Sequence, residues 1–422
     1  MHRNWLILLL LLSLLGLAAC TAPTPTTPTT SEPSTPPPTT PSEPTTPPST
    51  TTTPPADPFD AWWEEYRQPV ALDSSLYPAF YRGAWGARLD ELRSYLLHAA
   101  ELRQAGFDTI MVEAEIVLDR ETGQPVSLGE DVFIFYLQAL KREGFRIVLI
   151  PNPMHPNLDM GLGYAWEEPD PNAYYHPTYE LIKRFDSVVT HWAGLAEAYG
   201  AEAFLPVLEP YKLAGDYAVA SQWLQEILPQ IRGVYHGRVG ATDIMYDTGQ
   251  GRSIPCPYDY TGYDFLVSGP PAGWKDVADW EVMITGFIAQ GNEYAADYSL
   301  EGFGLYEYGG YTGGIWYEDV QMAAFDQILN QEQARLIAEA YVRQADGTTI
   351  ASFPRVSLGW IDFGTPSFNV IADWYLGMGD IIAPLEAGGW TYDELIEIEQ
   401  RLAGEDYEDI FQITEITDTH QP

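Results

Sequence analysis

The chain is poor in cysteine and in positive charge. Its 422 residues include 2 Cys, and 21 Lys or Arg stand against 60 Asp or Glu. Two cysteines, Cys20 and Cys256, allow at most one disulfide within the chain, too few for a disulfide-stapled fold. A formal net charge of −39 argues against nucleic acid or any other polyanion as a partner, because the field that gathers cations repels phosphate. Neutral substrates meet no such barrier. The same acidic surface also suits a salty or hot habitat. Several catalytic signatures are missing too. The sequence has no G-x-S-x-G elbow, no G-x-x-x-x-G-K loop and no G-x-G-x-x-G after a strand. Its seven histidines form neither H-x-H nor H-E-x-x-H, which leaves a metal-dependent hydrolase without support. No motif in the sequence calls for a cofactor.

The N-terminus is apolar from Trp5 to about Leu17, with Arg3 before it and small residues after it. This is the plan of a secretory signal peptide, too short for a comfortable membrane span. Leu17-Ala18-Ala19-Cys20 resembles the lipobox of bacterial lipoproteins. The resemblance implies removal of residues 1–19, lipidation of the Cys20 thiol, and an exported domain held at the outer side of the cell membrane. The alternative is an ordinary signal peptide with an incidental cysteine. Residues 21–56 are almost entirely Thr, Pro and Ser. They offer no apolar surface to offset chain entropy, so 20–56 is expected to be a disordered tether. Its proline content favours an extended spacer of roughly 3.1 Å per residue, on the order of 110 Å at full reach.

Beyond residue 56 aromatic residues are plentiful, the whole chain holding 13 Trp and 27 Tyr. Many belong in a core, but polar-tipped rings also line sugar-binding clefts. From about residue 77, short apolar runs alternate with helical periodicity. The runs are YPAFYRGAW, FDTIMVEAEIVL, FRIVLIPNPMHP, AEAFLPVLEP, RVGATDIMYD, YDFLVSG, GFGLYEYGG and TTIASFPRVSLGW. Buried parallel strands read as continuous apolar runs, and eight such units predict a (β/α)8 TIM barrel over 57–380. The weak place is TGQGRSIPCPYDYTG, which reads as loop where a helix is due. A doubly wound open sheet is the alternative. Gly106, Gly144 and Gly200 are placed as helix stops. Residues 381–422 read as a short C-terminal extension with one helix, TYDELIEIEQRLAG.

In a barrel, active groups come from the C-terminal ends of strands. Glu209 closes the fourth run and Glu307 the seventh. Either alone reads as a loop charge in so acidic a protein. Together they suit glycoside hydrolysis, in which one protonated carboxyl assists the leaving oxygen and one ionised carboxyl attacks the anomeric carbon. Here the chain resembles clan A of the glycoside hydrolases, in the mannanase and cellulase style. The resemblance rests on Glu209-Pro210, on Glu307-Tyr308-Gly309 and on Trp360 after the eighth run. It implies Glu209 as acid/base, Glu307 as nucleophile, Trp360 as the floor of the sugar site, and retention of configuration. Tyr308 and Tyr311 are candidates to donate to or shield Glu307. Tyr246, ending the fifth run, is a candidate to reach it, and Trp85 is a further stacking candidate. His155 reads equally as a pocket donor and as a loop-ordering residue. Two departures from the clan stand out: Leu208 occupies the place of an asparagine before the acid/base, and VSGPPAG offers no strand-six donor. The expected partner is a neutral polysaccharide or oligosaccharide of β-mannan or β-glucan type. The rival readings are a glycan-binding lipoprotein on an inactive barrel and a lipoprotein that merely displays the domain.

Overall fold

The fold is that of a computed structural model, which describes residues 57–69, 78–86, 89–118, 122–127, 129–153, 177–208, 210–244, 258–268, 277–297, 300–301, 303–311, 331–354, 356, 363–379, 388–404 and 407. Cys20 and the rest of 20–56, the segment expected to be a tether, lie outside them.

The strands are β1 (Tyr81–Gly86), β2 (Thr109–Leu118), β3 (Pro125–Ser127), β4 (Arg146–Asn152), β5 (Ala203–Phe204), β6 (Arg238–Ile244), β7 (Tyr260–Ser268), β8 (Phe303–Tyr311) and β9 (Ala351–Pro354). All pair in parallel except β3, which folds back on the end of β2 as an antiparallel hairpin. The order runs β1-β9-β8-β7-β6-β5-β4-β2, and β1 also pairs with β2. The sheet therefore curls until its first strand meets both the second and the last. Each of the eight predicted runs contributes one of these parallel strands. The β3 hairpin corresponds to none of the eight predicted runs.

The helices are α1 (Pro58–Tyr66), α2 (Leu89–Leu97), α3 (Ala99–Gln104), α4 (Glu130–Arg142), α5 (Tyr179–Lys183), α6 (Asp186–Ala198), α7 (Pro210–Ala214), α8 (Tyr217–Arg232), α9 (Val277–Asp297), α10 (Gln331–Ala345), α11 (Pro366–Gly377) and α12 (Tyr392–Ala403). Helices follow every parallel strand except β6, whose connection, 245–257, lies outside the described residues. Local chemistry sets their ends. Asp57, Thr178, Asp216, Thr365 and Thr391 accept backbone N–H groups of the first turns, as N-caps do. Gly106, Gly144 and Gly200 have φ of 87°, 87° and 64°, the left-handed stops expected of them.

Strand residues alternate between two apolar clusters, following the period of two of a pleated strand. Ile110, Val112 and Ala114 of β2 join the outer core, with Leu92, Phe133, Tyr136 and Trp192 of the helices. Met111 joins the inner one, with Tyr81, Trp85, Val148, Ile150, Ala203, Leu205, Leu208, Ala351 and Phe353. The seam between β1 and β9 is short, pairing Tyr81 with Ala351 and Arg82 with Ser352. It is reinforced from outside, where the Tyr375 hydroxyl of α11 donates to Ser352 O at 2.8 Å and lies 3.2 Å from Gly83 O. Arg82 is buried there with Asp108 (2.8 Å), and Arg146 reaches the same carboxylate at 2.9 Å.

The C-terminal helix shares this core. Leu395, Ile398 and Ala403 of α12 are buried in the outer cluster. Glu399, wholly buried, takes Arg93 of α2 at 2.6 Å and also accepts the Tyr136 hydroxyl of α4. Burial, and after it the adjacent carboxylate, pushes the Tyr136 hydroxyl well above its ordinary range.

Candidate active site

Parallel strands bring all their C-terminal ends to one side of the sheet, where the functional groups of such folds gather. Counting the parallel strands in chain order, β5 is the fourth and β8 the seventh. The segment after β5 runs through Leu205 and Leu208, both in the inner cluster, to α7, which begins at Pro210. Glu209 falls between them and lies outside the described residues. Leu208 is 5% exposed, so the position before Glu209 is filled by packed hydrocarbon.

Glu307 lies within β8 rather than at its end, for the strand runs on to Tyr311. Its backbone place is unusual. Tyr306 and Tyr308 pair with the consecutive residues Phe353 and Pro354 of β9, so the register passes over Glu307. On the other side Asp264 faces Tyr306 and Leu266 faces Gly309, again leaving an extra residue in β8. A β-bulge of this kind bends the strand and re-aims side chains, and bulges are over-represented beside active sites. Tyr308 and Tyr311 share the strand beyond the bulge.

The other expected site residues divide in two. Trp85, expected at the cleft, is 0% exposed and fills the inner cluster beside Met111 and Tyr81. Its carbonyl accepts the Tyr95 hydroxyl of α2. His155, Tyr246 and Trp360 lie outside the described residues.

One feature escaped the reading of the sequence. The inner face of β2 changes character along its length, from Met111 to Glu113 and then Glu115, which are 2% and 5% exposed. On β4 the same face runs Val148, Ile150, Asn152, the last 3% exposed. Glu115 and Asn152 are register partners, and the Asn152 amide donates to Glu113 Oε2. The signal was present in FDTIMVEAEIVL: two carboxylates two residues apart share one face of a strand otherwise apolar. Buried carboxylates require hydrogen-bond partners, so this end of the interior is polar by construction.

Among the described residues, no group of three or more His, Cys, Asp and Glu side chains is disposed to hold a metal ion. A cavity of about 240 Å³ opens elsewhere, lined by Tyr66, Arg142, Glu143 and Trp390 among others. It lies at the C-terminal end of α4, next to the start of β4 and so away from the strand C-termini.

No family model matches the chain, and no curated protein matches it. Similar solved structures include a complex of a GH113 β-1,4-mannanase, 14% identical over 70% of this chain and 99% of that one, with a TM-score of 0.47. A GH113 β-mannanase from Alicyclobacillus acidocaldarius is 13% identical over 71% and 98%, with a TM-score of 0.47. A family 1 β-glucosidase from Thermotoga maritima is 12% identical over 69% and 87%, with a TM-score of 0.43. At such identities and TM-scores, membership of a family does not follow.

Proposed function

We propose that the chain is an exported, lipid-anchored glycoside hydrolase whose curled sheet is a (β/α)8 barrel. It cleaves a neutral β-linked polysaccharide or oligosaccharide, of β-mannan or β-glucan type, with retention of configuration. The observation that carries this reading is topological: Glu209 follows the fourth parallel strand, and Glu307 occupies the bulge of the seventh. The C-terminal ends of parallel strands share one end of the sheet, and at that end Glu113, Glu115 and Asn152 make the interior polar.

In this scheme Glu209 is the acid/base and Glu307 the nucleophile. The protonated Glu209 gives its proton to the leaving oxygen while Glu307 attacks the anomeric carbon; Glu209 then deprotonates the water that releases the glycosyl group. Two neighbouring carboxyls raise one pKa between them, which keeps one protonated and one ionised near neutral pH. Retention calls for a carboxyl separation of about 5–5.5 Å. Trp360, Tyr246, Tyr308, Tyr311 and His155 surround the sugar.

The test is hydrolysis of a panel of β-mannans and β-glucans, followed on wild type and on Glu307→Ala. The variant should lose nearly all turnover and recover part of it with azide as an α-glycosyl azide. Glu209→Ala should still form the covalent intermediate from aryl glycosides with good leaving groups, and azide should rescue it as the β-azide. A wild-type protein that binds one of these glycans without cleaving it would favour the second reading, a glycan-binding protein on an inactive barrel. The packed Leu208 is the observation on that side, since it presents no amide to a sugar hydroxyl.

A further inference from the structure

We infer that Asn152 contacts a ring hydroxyl of the bound sugar and that Glu113 is the residue that positions it. The inference rests on the glycosidase reading and gives a role to two residues to which that reading assigns none.

Its basis is the change of polarity along one face of two adjacent strands. Below this level the inner face is filled by Tyr81, Met111, Val148, Ala203, Ala351 and Phe353, which pack as hydrocarbon and aromatic rings. At the C-terminal end, β2 substitutes Glu113 and Glu115 and β4 substitutes Asn152, all at least nine-tenths buried. Well-packed apolar side chains commonly replace buried polar or ionic groups at no loss of stability, or with a gain. These polar groups stand at the strand ends, the end at which a barrel of this class takes its substrate. An asparagine amide has two N–H donors and an acceptor oxygen. One N–H is given to Glu113 Oε2, which fixes the plane and the flip of the amide. The remaining donor and acceptor suit a sugar hydroxyl, which both donates and accepts. Glu113 acts through Asn152, two residues along on the neighbouring strand's ladder, where Ile150 is its register partner.

The experiment compares wild type with Asn152→Ala on 4-nitrophenyl β-mannoside and β-glucoside and on their 2-, 3- and 6-deoxy analogues. Asn152→Ala should lower kcat/KM on the parent glycoside by about 10- to 100-fold, the range of one or two good hydrogen bonds. On the analogue lacking the contacted hydroxyl, the same variant should cost almost nothing. This comparison is a ratio of rates on one preparation, so incomplete folding of the variant does not affect it. Glu113→Gln keeps an acceptor oxygen and should retain most activity, whereas Glu113→Leu should reproduce the substrate pattern of Asn152→Ala. An equal loss on all analogues, or none on the parent, overturns the contact. A Glu113→Leu protein that is less stable but shows the wild-type pattern overturns the positioning role. If the wild type neither cleaves these glycosides nor binds manno- or cello-oligosaccharides by calorimetry, the glycosidase reading itself falls and takes this inference with it.

Discussion

Gly83 illustrates what a single residue contributes to closing the sheet. It sits in β1 beside the seam, and a Cβ built on it would lie 1.9 Å from Cδ1 of Phe353. The ring belongs to the inner cluster and is wholly buried, so it has little room to move away. Gly83→Ala should therefore destabilise the protein by about 1–3 kcal/mol, the usual cost of overpacking a filled core. Urea unfolding would measure it, and adding Phe353→Leu should recover part of the loss. An unchanged midpoint in Gly83→Ala would mean that the ring is not confined. The helix stops at Gly106, Gly144 and Gly200 could be read from the sequence because a stop is local, set by the residue after an apolar periodicity. Gly83 could not be, because its constraint comes from a phenylalanine near the other end of the chain.

Among the elements, α12 joins a legible feature to an illegible one. Its start is written in Thr391-Tyr392-Asp393-Glu394, where the Thr391 side chain accepts from the Glu394 N–H and the Glu394 carboxylate accepts from Thr391. The Thr391 hydroxyl and backbone N–H hold the Glu394 carboxyl below its ordinary pKa. A carboxylate depressed by folding stabilises the folded state above its unfolded pKa, and that stabilisation is lost as pH falls through the lower folded value. Thr391→Ala should thus lower the thermal midpoint at neutral pH, and its gap from wild type should narrow as the pH drops below the ordinary carboxylate range. A gap independent of pH would remove the charge from the account. Glu399 on the same helix is the illegible part: on an apolar face it reads as a stray charge until Arg93 and Tyr136 meet it. Glu399→Ala leaves the Arg93 guanidinium buried without this carboxylate, and should cost about 3–5 kcal/mol in chemical denaturation. Less than about 1 kcal/mol would be the value of an exposed pair.

For the whole molecule, the sequence separates a chain that cannot bury a core from one that can. The Thr, Pro and Ser of 21–56 stand against a sheet and helices packed from Trp63 onward. A segment of this composition has no apolar surface to bury, so deleting 21–56 should leave the thermal midpoint of the remaining domain unchanged within about 1 °C. Cys20→Ser should move the protein from the membrane fraction to the soluble one. Persistence in the membrane fraction would remove the lipid anchor from the proposal.

The sequence by itself determined the succession of strands and helices, because apolar periodicity, caps and glycine stops act over a few neighbouring residues. It also put Glu209 and Glu307 on the fourth and seventh apolar runs, a matter of counting. The tertiary structure decided what depends on residues far apart in the chain. It closes β1 onto β9, encloses Trp85 in the interior and puts a bulge at Glu307. It also brings Asn152 to Glu113 across the β2–β4 ladder. Each of these depends on strand register, and register is fixed only when many side chains from distant segments fill one interior together.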